Sequence, residues 1–527
     1  MANLTEYKKF QNCSNLINEG KYLNAIRLAK SFESDYYRAA IYIDAGFELN
    51  DISKVRKGTI IFENLTNVEE SIIGFTKSSV FCNTANGYSA LYKLKKRKDN
   101  KLIPPNDPNL RKAKFYYRKA IDCDDNTSPP FSSTLWINYG NCLSQLGKFI
   151  HAIKCYEKAY KIDPSNGMAS GNLAIELEYV SHLTSSFRHV YVALANDFMT
   201  HVFKPTTNLN YGTPNAIQDF KRVHRKIKDF INFHDEPISA PKPIIFDDAN
   251  PLKNYLQFCI ENDLFLNAWV GNKEFTPGVT DDISLGEIIT SIDDEFTVPE
   301  LLRILNEIKE SFSTARYLFY LSQNQAEELD RLTQLTTYFE NYEYSTNSIY
   351  IGLCKAAYAR AFDILDKVAR IINIYFRIGK EKDSFWRTFV EKQSLGEEHE
   401  IRFVATKPIC NVMNSSLFAL SDLCIEYFEK ENTEFKTIDI RRNKITHEYL
   451  NVKLFSINEE NDEGIIELRD LYKQTKDVLI LAKYAVIYAI SSINIAENSN
   501  KLNGEINIPI FYDNKLGDTF SNNTFYL

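Results

Sequence analysis

The sequence predicts an all-α protein: an N-terminal α-solenoid of helical repeats followed by a C-terminal helical bundle. Three observations predict it. Between residues 136 and 164, large and small residues alternate at the spacings of a helix pair that recurs along a chain. Beyond Pro299, apolar residues step by three and four over long stretches, the signature of buried helix faces. Hydrophobic residues at 44% and charged residues at 25% give the balance of a chain that folds throughout.

The repeat is carried by Trp136-x2-Tyr139-Gly140-x2-Leu143, then Ala152-x3-Tyr156-x2-Ala159, then Pro164. This pattern resembles the tetratricopeptide repeat, with the large positions Tyr139 and Leu143 exchanged in type. Gly147 falls at the turn between the two helices, where a positive φ is needed. One such unit cannot bury its own apolar face, so neighbours are required. Leu16, Gly20, Ala25, Ala29 and Phe32 repeat the offsets near the N-terminus. Ala113, Tyr117 and Ala120 read as another second helix, and Leu173, Ala174 and Leu177 as the next first helix. Residues 93–108, charged and proline-bearing, read as a loop insertion. The solenoid is expected over residues 5–202.

Residues 203–295 read as a connecting module, because Pro205, Pro214, Pro237, Pro241 and Pro243 punctuate it with turn chemistry; a short helix is expected at 215–233. A helical bundle is expected over 296–500. Its helices are residues 300–321, the stripe Cys354, Ala357, Ala361, Leu365, Val368, Ile372 and Tyr375, the stripe Leu417, Leu420, Cys424, Tyr427 and Phe428, and a mid-bundle helix over 467–496. Residues 501–527, rich in Asn, Gly and Asp, read as a loose tail.

Several function classes find no support. A net charge of -7 argues against coating nucleic acid by bulk charge, though a local basic site is compatible with it. The nine scattered cysteines include no CxxC pair and fit core thiols of a reducing compartment. No apolar signal segment opens the chain, and the apolar run 478–493 is broken by Lys483 and short of a membrane span. A cytoplasmic protein with no membrane contact is expected. The histidines form no metal-ligand spacing, and the phosphate-binding, nucleophile-elbow and dinucleotide glycine motifs are missing. No metal and no cofactor are expected.

Chemistry concentrates in residues 437–450, Thr-Ile-Asp-Ile-Arg-Arg-Asn-Lys-Ile-Thr-His-Glu-Tyr-Leu. On a helix, Asn443 and His447 share a face, and the amide can orient the imidazole. Ile438, Ile445, Tyr449 and Val452 line a second face that reads as core. Arg442 leans toward that core face, where a guanidinium is costly unless something anionic meets it. Arg442 and His447 stand about 140° apart on an ideal helix. They reach one atom if the helix begins near Arg442, or if two copies meet across a two-fold axis.

Arg442-Asn443-x3-His447-x-Tyr449 resembles the Arg-polar-x3-His motif of the HEPN superfamily, in the form that ends in His-x-Tyr. The resemblance covers residues 296–500 and implies a helical bundle with the motif at the start of a late helix. It implies a homodimeric, metal-independent endoribonuclease of toxin, antiphage or RNA-processing type, giving 2′,3′-cyclic phosphate and 5′-hydroxyl ends. In that reading His447 is the general acid or base, Arg442 holds the scissile phosphate, and Asn443 orients one of them. Tyr449 resembles the tyrosine that a separate nucleotidyltransferase adenylylates to inhibit such toxins, while its own stripe reads as core.

The repeats imply a protein or peptide ligand. The basic cluster Lys221, Arg222, His224, Arg225, Lys226 and Lys228 reads as a solvated helix face, with contact to RNA phosphates as the other reading. The competing reading of the whole chain is a non-catalytic repeat adaptor, or a peptide-responsive regulator, with an inactive nucleotide-binding HEPN domain.

Overall fold

The computed structural model describes residues 2–70, 74–99, 106–184, 186–209, 214–233, 250, 252–271, 273, 275–286, 288–289, 297–339, 345–378, 384–395, 400–428, 443–446, 448–454, 464–500 and 507–508. They form two compact units, Met1–Glu178 with Leu194–Asp235, and Tyr179–Ala193 with Glu236–Leu527.

The first unit is a run of sequence-neighbouring helix pairs: α1 (Ala2–Asn18) on α2 (Tyr22–Ala29), α3 (Asp35–Glu48) on α4 (Ile52–Leu65), α5 (Lys77–Asp99) on α6 (Pro108–Asp122), and α7 (Pro129–Gln145) on α8 (Phe149–Ile162). Helices α9 (Gly167–Ser181), α10 (Arg188–Val202) and α11 (Pro214–Phe233) follow, the end of α9 and the start of α10 belonging to the second unit. The turns form where the sequence placed them. Gly147 has φ 79°, and Gly20, at the equivalent turn between α1 and α2, has φ 75°. Small residues sit where helices touch: a Cβ on Gly140 would come within 2.5 Å of the Tyr156 ring. Leu143, Ala152, Tyr156 and Ala159 are buried, as are Ala25, Ala29 and Phe32 of the first pair. Trp136 is half-buried beneath the Lys158 ammonium, 4.0 Å from the ring centre, and packs edge-on to Tyr139. Pro164 is exposed in the turn after α8.

The insertion read as a loop is in part helix. Helix α5 runs on to Asp99 because Tyr92 and Leu94 are buried, and because Arg97 lies over the Phe47 ring at 4.2 Å. Lys95 then reaches the Asp107 carboxylate at 2.8 Å, and Asp107 also caps α6 by accepting from the Asn109 and Leu110 N–H groups.

The second unit contains α12 (Lys253–Glu261), β1 (Ile288–Ile289), α13 (Thr297–Asn324), α14 (Ala326–Thr333), α15 (Ile349–Phe376), α16 (Phe385–Phe389), β2 (Val390–Leu395), β3 (Glu400–Ala405), α17 (Lys407–Val412), α18 (Ser415–Phe428), β4 (Asn451–Lys453), β5 (Ile465–Glu467), α19 (Leu468–Asn500) and β6 (Asn507–Ile508). Helices α13, α15, α18 and α19 make the bundle, with α15 packed on both α13 and α19. The stripe Cys354, Ala357, Ala361, Leu365, Val368 and Ile372 is fully buried. Among the described residues the strands form three two-stranded sheets, none of them expected: β2 with β3 and β1 with β6 antiparallel, and β4 with β5 parallel. The β1–β6 pair draws Asn507 and Ile508, within the stretch read as a loose tail, onto Ile288 and Ile289.

Helix α19 is apolar enough over Leu468–Asn498 to cross a membrane by length and composition, yet 89% of its most apolar window is buried inside the protein. Its buried polar residues Thr475, Lys483, Ser491, Asn494 and Glu497 meet protein partners, while the buried Gln474 amide oxygen has none among the described residues. Thr475 meets the Cys354 thiol at 3.3 Å, and Lys483 donates to the Asp263 carboxylate at 3.0 Å. Ser491 contacts both Ser416 and Tyr179. The Asn494 carbonyl accepts from the Gly286 N–H at 2.9 Å, and Glu497 accepts from the Tyr375 hydroxyl.

The connecting stretch is divided between the units. Helix α11 belongs to the first, held by Phe220 against Ala174, Met199 and Val202. Gly171 makes room for it, since a Cβ there would meet the Phe220 ring at 2.3 Å. Residues 252–289 belong to the second unit. There Arg316 of α13, 5% exposed, donates to the Asp281 carboxylate at 2.8 Å, the Tyr255 hydroxyl at 2.8 Å and the Leu264 carbonyl at 2.9 Å.

Candidate functional site

Of the four motif residues, Asn443 and Tyr449 are described, and Arg442 and His447 lie outside the described residues, as do 437–441. Residues 443–446 are helical, with Asn443 exposed and Lys444 paired to Glu448 at 2.6 Å. The helix expected to continue through Leu450 stops before it. Residues 448–450 leave the helical path and β4 begins at Asn451.

The reason is a set of backbone partners that only an extended chain can use. The Leu450 carbonyl accepts from the Lys355 ammonium at 2.8 Å. The Asn451 N–H donates to the Gly464 carbonyl at 2.9 Å, and the Val452 carbonyl accepts from the Thr346 N–H at 2.8 Å. Val452 is then buried on its strand, 1% exposed, rather than on a helix face. Tyr449, expected in the core from the same stripe, is 74% exposed. A period of 3.6 assigned both to one face, and the change of backbone geometry separated them.

The described part of the segment is therefore largely exposed before Leu450 and anchored from Leu450 on. Leu450 and Val452 anchor it to the bundle, while Asn443, Thr446, Glu448 and Tyr449 face solvent. The Asn443 amide offers a donor and an acceptor to an incoming ligand, and the Tyr449 hydroxyl is open to another macromolecule. Lys355 was not singled out in the sequence, because it lies beside the Cys354 stripe without interrupting it. Its burial, relieved in part by the Cys354 thiol, holds the ammonium below the usual lysine range. Its geometry is that of a positioning residue, fixing the carbonyl just after Tyr449.

The repeat unit carries a second feature, a strip of half-buried amides on the first helices of successive pairs. Asn83 donates to the Tyr36 hydroxyl at 2.8 Å. The Asn86 carbonyl accepts from the Tyr117 hydroxyl at 2.7 Å and from Asn138 at 3.3 Å. The Asn141 carbonyl accepts from the Tyr156 hydroxyl at 2.9 Å and from Asn172 at 3.0 Å. Each tyrosine fixes an amide in one orientation, leaving the row ordered before any ligand arrives.

Comparison with known proteins places names on both parts. The LA2681-like HEPN family matches residues 292–496, and the tetratricopeptide repeat matches residues 133–166. Among solved structures, that of Pseudomonas aeruginosa pilF is 11% identical over 45% of this chain and 95% of its own, with a TM-score of 0.29. The yeast Sti1 TPR2AB-domain:pHSP90 complex is 14% identical over 43% of this chain and 99% of its own, with a TM-score of 0.17. No curated protein matches the chain. The chain thus joins tetratricopeptide-repeat helices to an LA2681-like HEPN domain.

Proposed function

We propose that the HEPN domain is an endoribonuclease that needs no metal, acting as a defence or toxin-like effector under the control of the repeats. The observation that carries the reading is the position of Arg442-Asn443-x3-His447 inside the matched HEPN range, on a segment whose described polar residues stand at the surface. In this reading His447 takes the proton from a ribose 2′-hydroxyl, whose oxygen attacks the adjacent phosphorus. The 5′-oxygen leaves with a proton, giving a 2′,3′-cyclic phosphate and a 5′-hydroxyl. Arg442 holds the charge that builds on the phosphate, and Asn443 orients either group. Two copies of the chain pair through the HEPN domain so that an Arg/Asn/His set from each serves one cleft. The repeats take an extended peptide or helix, and the ordered amides from Asn83 to Asn172 can meet its backbone donors and acceptors. The exposure of Tyr449 leaves its hydroxyl accessible to a modifying partner.

The test is cleavage of total RNA and tRNA by the purified full-length chain in EDTA. Arg442→Ala and His447→Ala are expected to lower the rate by about 10²–10⁴-fold each. Undiminished cleavage in both would reject this site. If no form cleaves, with and without ligands of the repeats, the chain is a non-catalytic adaptor.

A further inference from the structure

Helix α11 is not used by the reading above, and it divides its surface sharply. Phe220 and Ile227 are each 1% exposed and Val223 is half-buried, so one face is spent on the repeat core. Opposite them, Lys221, Arg222, Arg225, Lys226 and Lys228 are all exposed. They fall into two rows along the helix, Lys221–Arg225–Lys228 and Arg222–Lys226, each stepping by three or four residues. Only Asp219 and Asp229 interrupt this face, and Asp219 pairs with Arg222 at 2.9 Å, itself 71% exposed. Five cations against two carboxylates stand on one helix of a chain whose net charge is -7. Beside them the Phe203 ring, 36% exposed, stacks flat on His224 at 5.6 Å and 10°.

We propose that this face of α11 binds the phosphate backbone of single-stranded RNA, with Phe203 offering a stacking surface to a base. Two rows of cations beside an exposed aromatic suit a strand that carries both charge and π-faces. An acidic membrane fits less well, because the apolar side that an interfacial helix inserts is already packed in the core. The inference rests on the ribonuclease reading for its choice of nucleic acid, but its contacts are separate from the HEPN motif.

The experiment uses the full-length chain carrying His447→Ala, so that cleavage does not obscure binding. Affinity for a short fluorescein-labelled oligouridine is read by anisotropy across a KCl titration. Adding Lys221→Glu, Arg225→Glu and Lys228→Glu together is expected to weaken binding at least ~10-fold and to lower the slope of log affinity against log salt by about 2. Substitution of the same three positions by Gln, checked by circular dichroism, gives the same direction if the reversed charges disturb folding. Equal affinity and equal slope in the variants overturn the proposal. So does charge-dependent binding to phosphatidylserine vesicles with RNA binding unaffected. Charge-dependent RNA binding by a wild-type chain that cleaves nothing rejects only the nuclease. Cleavage with charge-independent binding rejects only this surface.

Discussion

Glu176 of α9 is 8% exposed, and its carboxylate accepts from the Ser144 hydroxyl at 2.7 Å. Burial pushes its pKa up to about 7, against the opposing pull of Ser144. The folded value lies above the unfolded one. The contribution to stability is therefore fully present below about pH 4.5 and is lost as pH rises through about 7. Glu176→Gln keeps the shape and the acceptor but cannot ionise. Its urea midpoint should match the wild type near pH 4 and exceed it near pH 8, by a stability difference on the order of 3 kcal/mol. An offset equal at both pH values would place the effect elsewhere. The sequence showed a glutamate among the apolar residues of a repeat helix, but its burial needed the neighbouring helix that brings Ser144.

The motif segment is decided at the level of the element. Residues 443–446 coil and 451–453 extend, and Tyr449 falls between them with its ring in solvent. Tyr449→Ala should cost less than about 0.5 kcal/mol in urea unfolding, against roughly 3–5 kcal/mol for a large aromatic removed from a core. A loss above about 2 kcal/mol would mean that the ring packs after all. The change from helix to strand had no local warning, because Asn451, Val452 and Lys453 suit either state. What selected the strand was the pairing with Ile465, Ile466 and Glu467, more than ten residues further on. The β2–β3 hairpin was more legible. Glu400, Ile401, Arg402 and Phe403 alternate polar and apolar, but the expectation of an unbroken bundle passed over them.

At the scale of the molecule, each unit extends past the segment that matches a family. The second unit adds residues 252–289 to the HEPN helices through ion pairs that are largely buried, Arg316 with Asp281 and Lys483 with Asp263. Removing one partner strands a charge in the interior. Asp281→Ala is expected to destabilise this unit by about 3 kcal/mol, read by urea denaturation of the full chain. A change within ~0.5 kcal/mol would show that Tyr255 and the Leu264 carbonyl suffice for the guanidinium.

The sequence by itself determined the helical class, the repeat and its Gly147 turn, the buried stripe from Cys354 to Ile372, and the motif at residues 442–449. Each is written in short-range spacing, where a helix face or a left-handed turn is fixed by residues a few positions apart. Only the tertiary structure decided that Tyr449 stands in solvent, that Val452 is core on a strand, that α5 runs on to Asp99, and that Lys483, inside the expected mid-bundle helix, meets Asp263. Those outcomes depend on partners such as Lys355, Thr346, Phe47 and Asp263, which are distant along the chain. Which backbone carbonyl or charge they meet is set by packing, and no periodicity in the sequence encodes it.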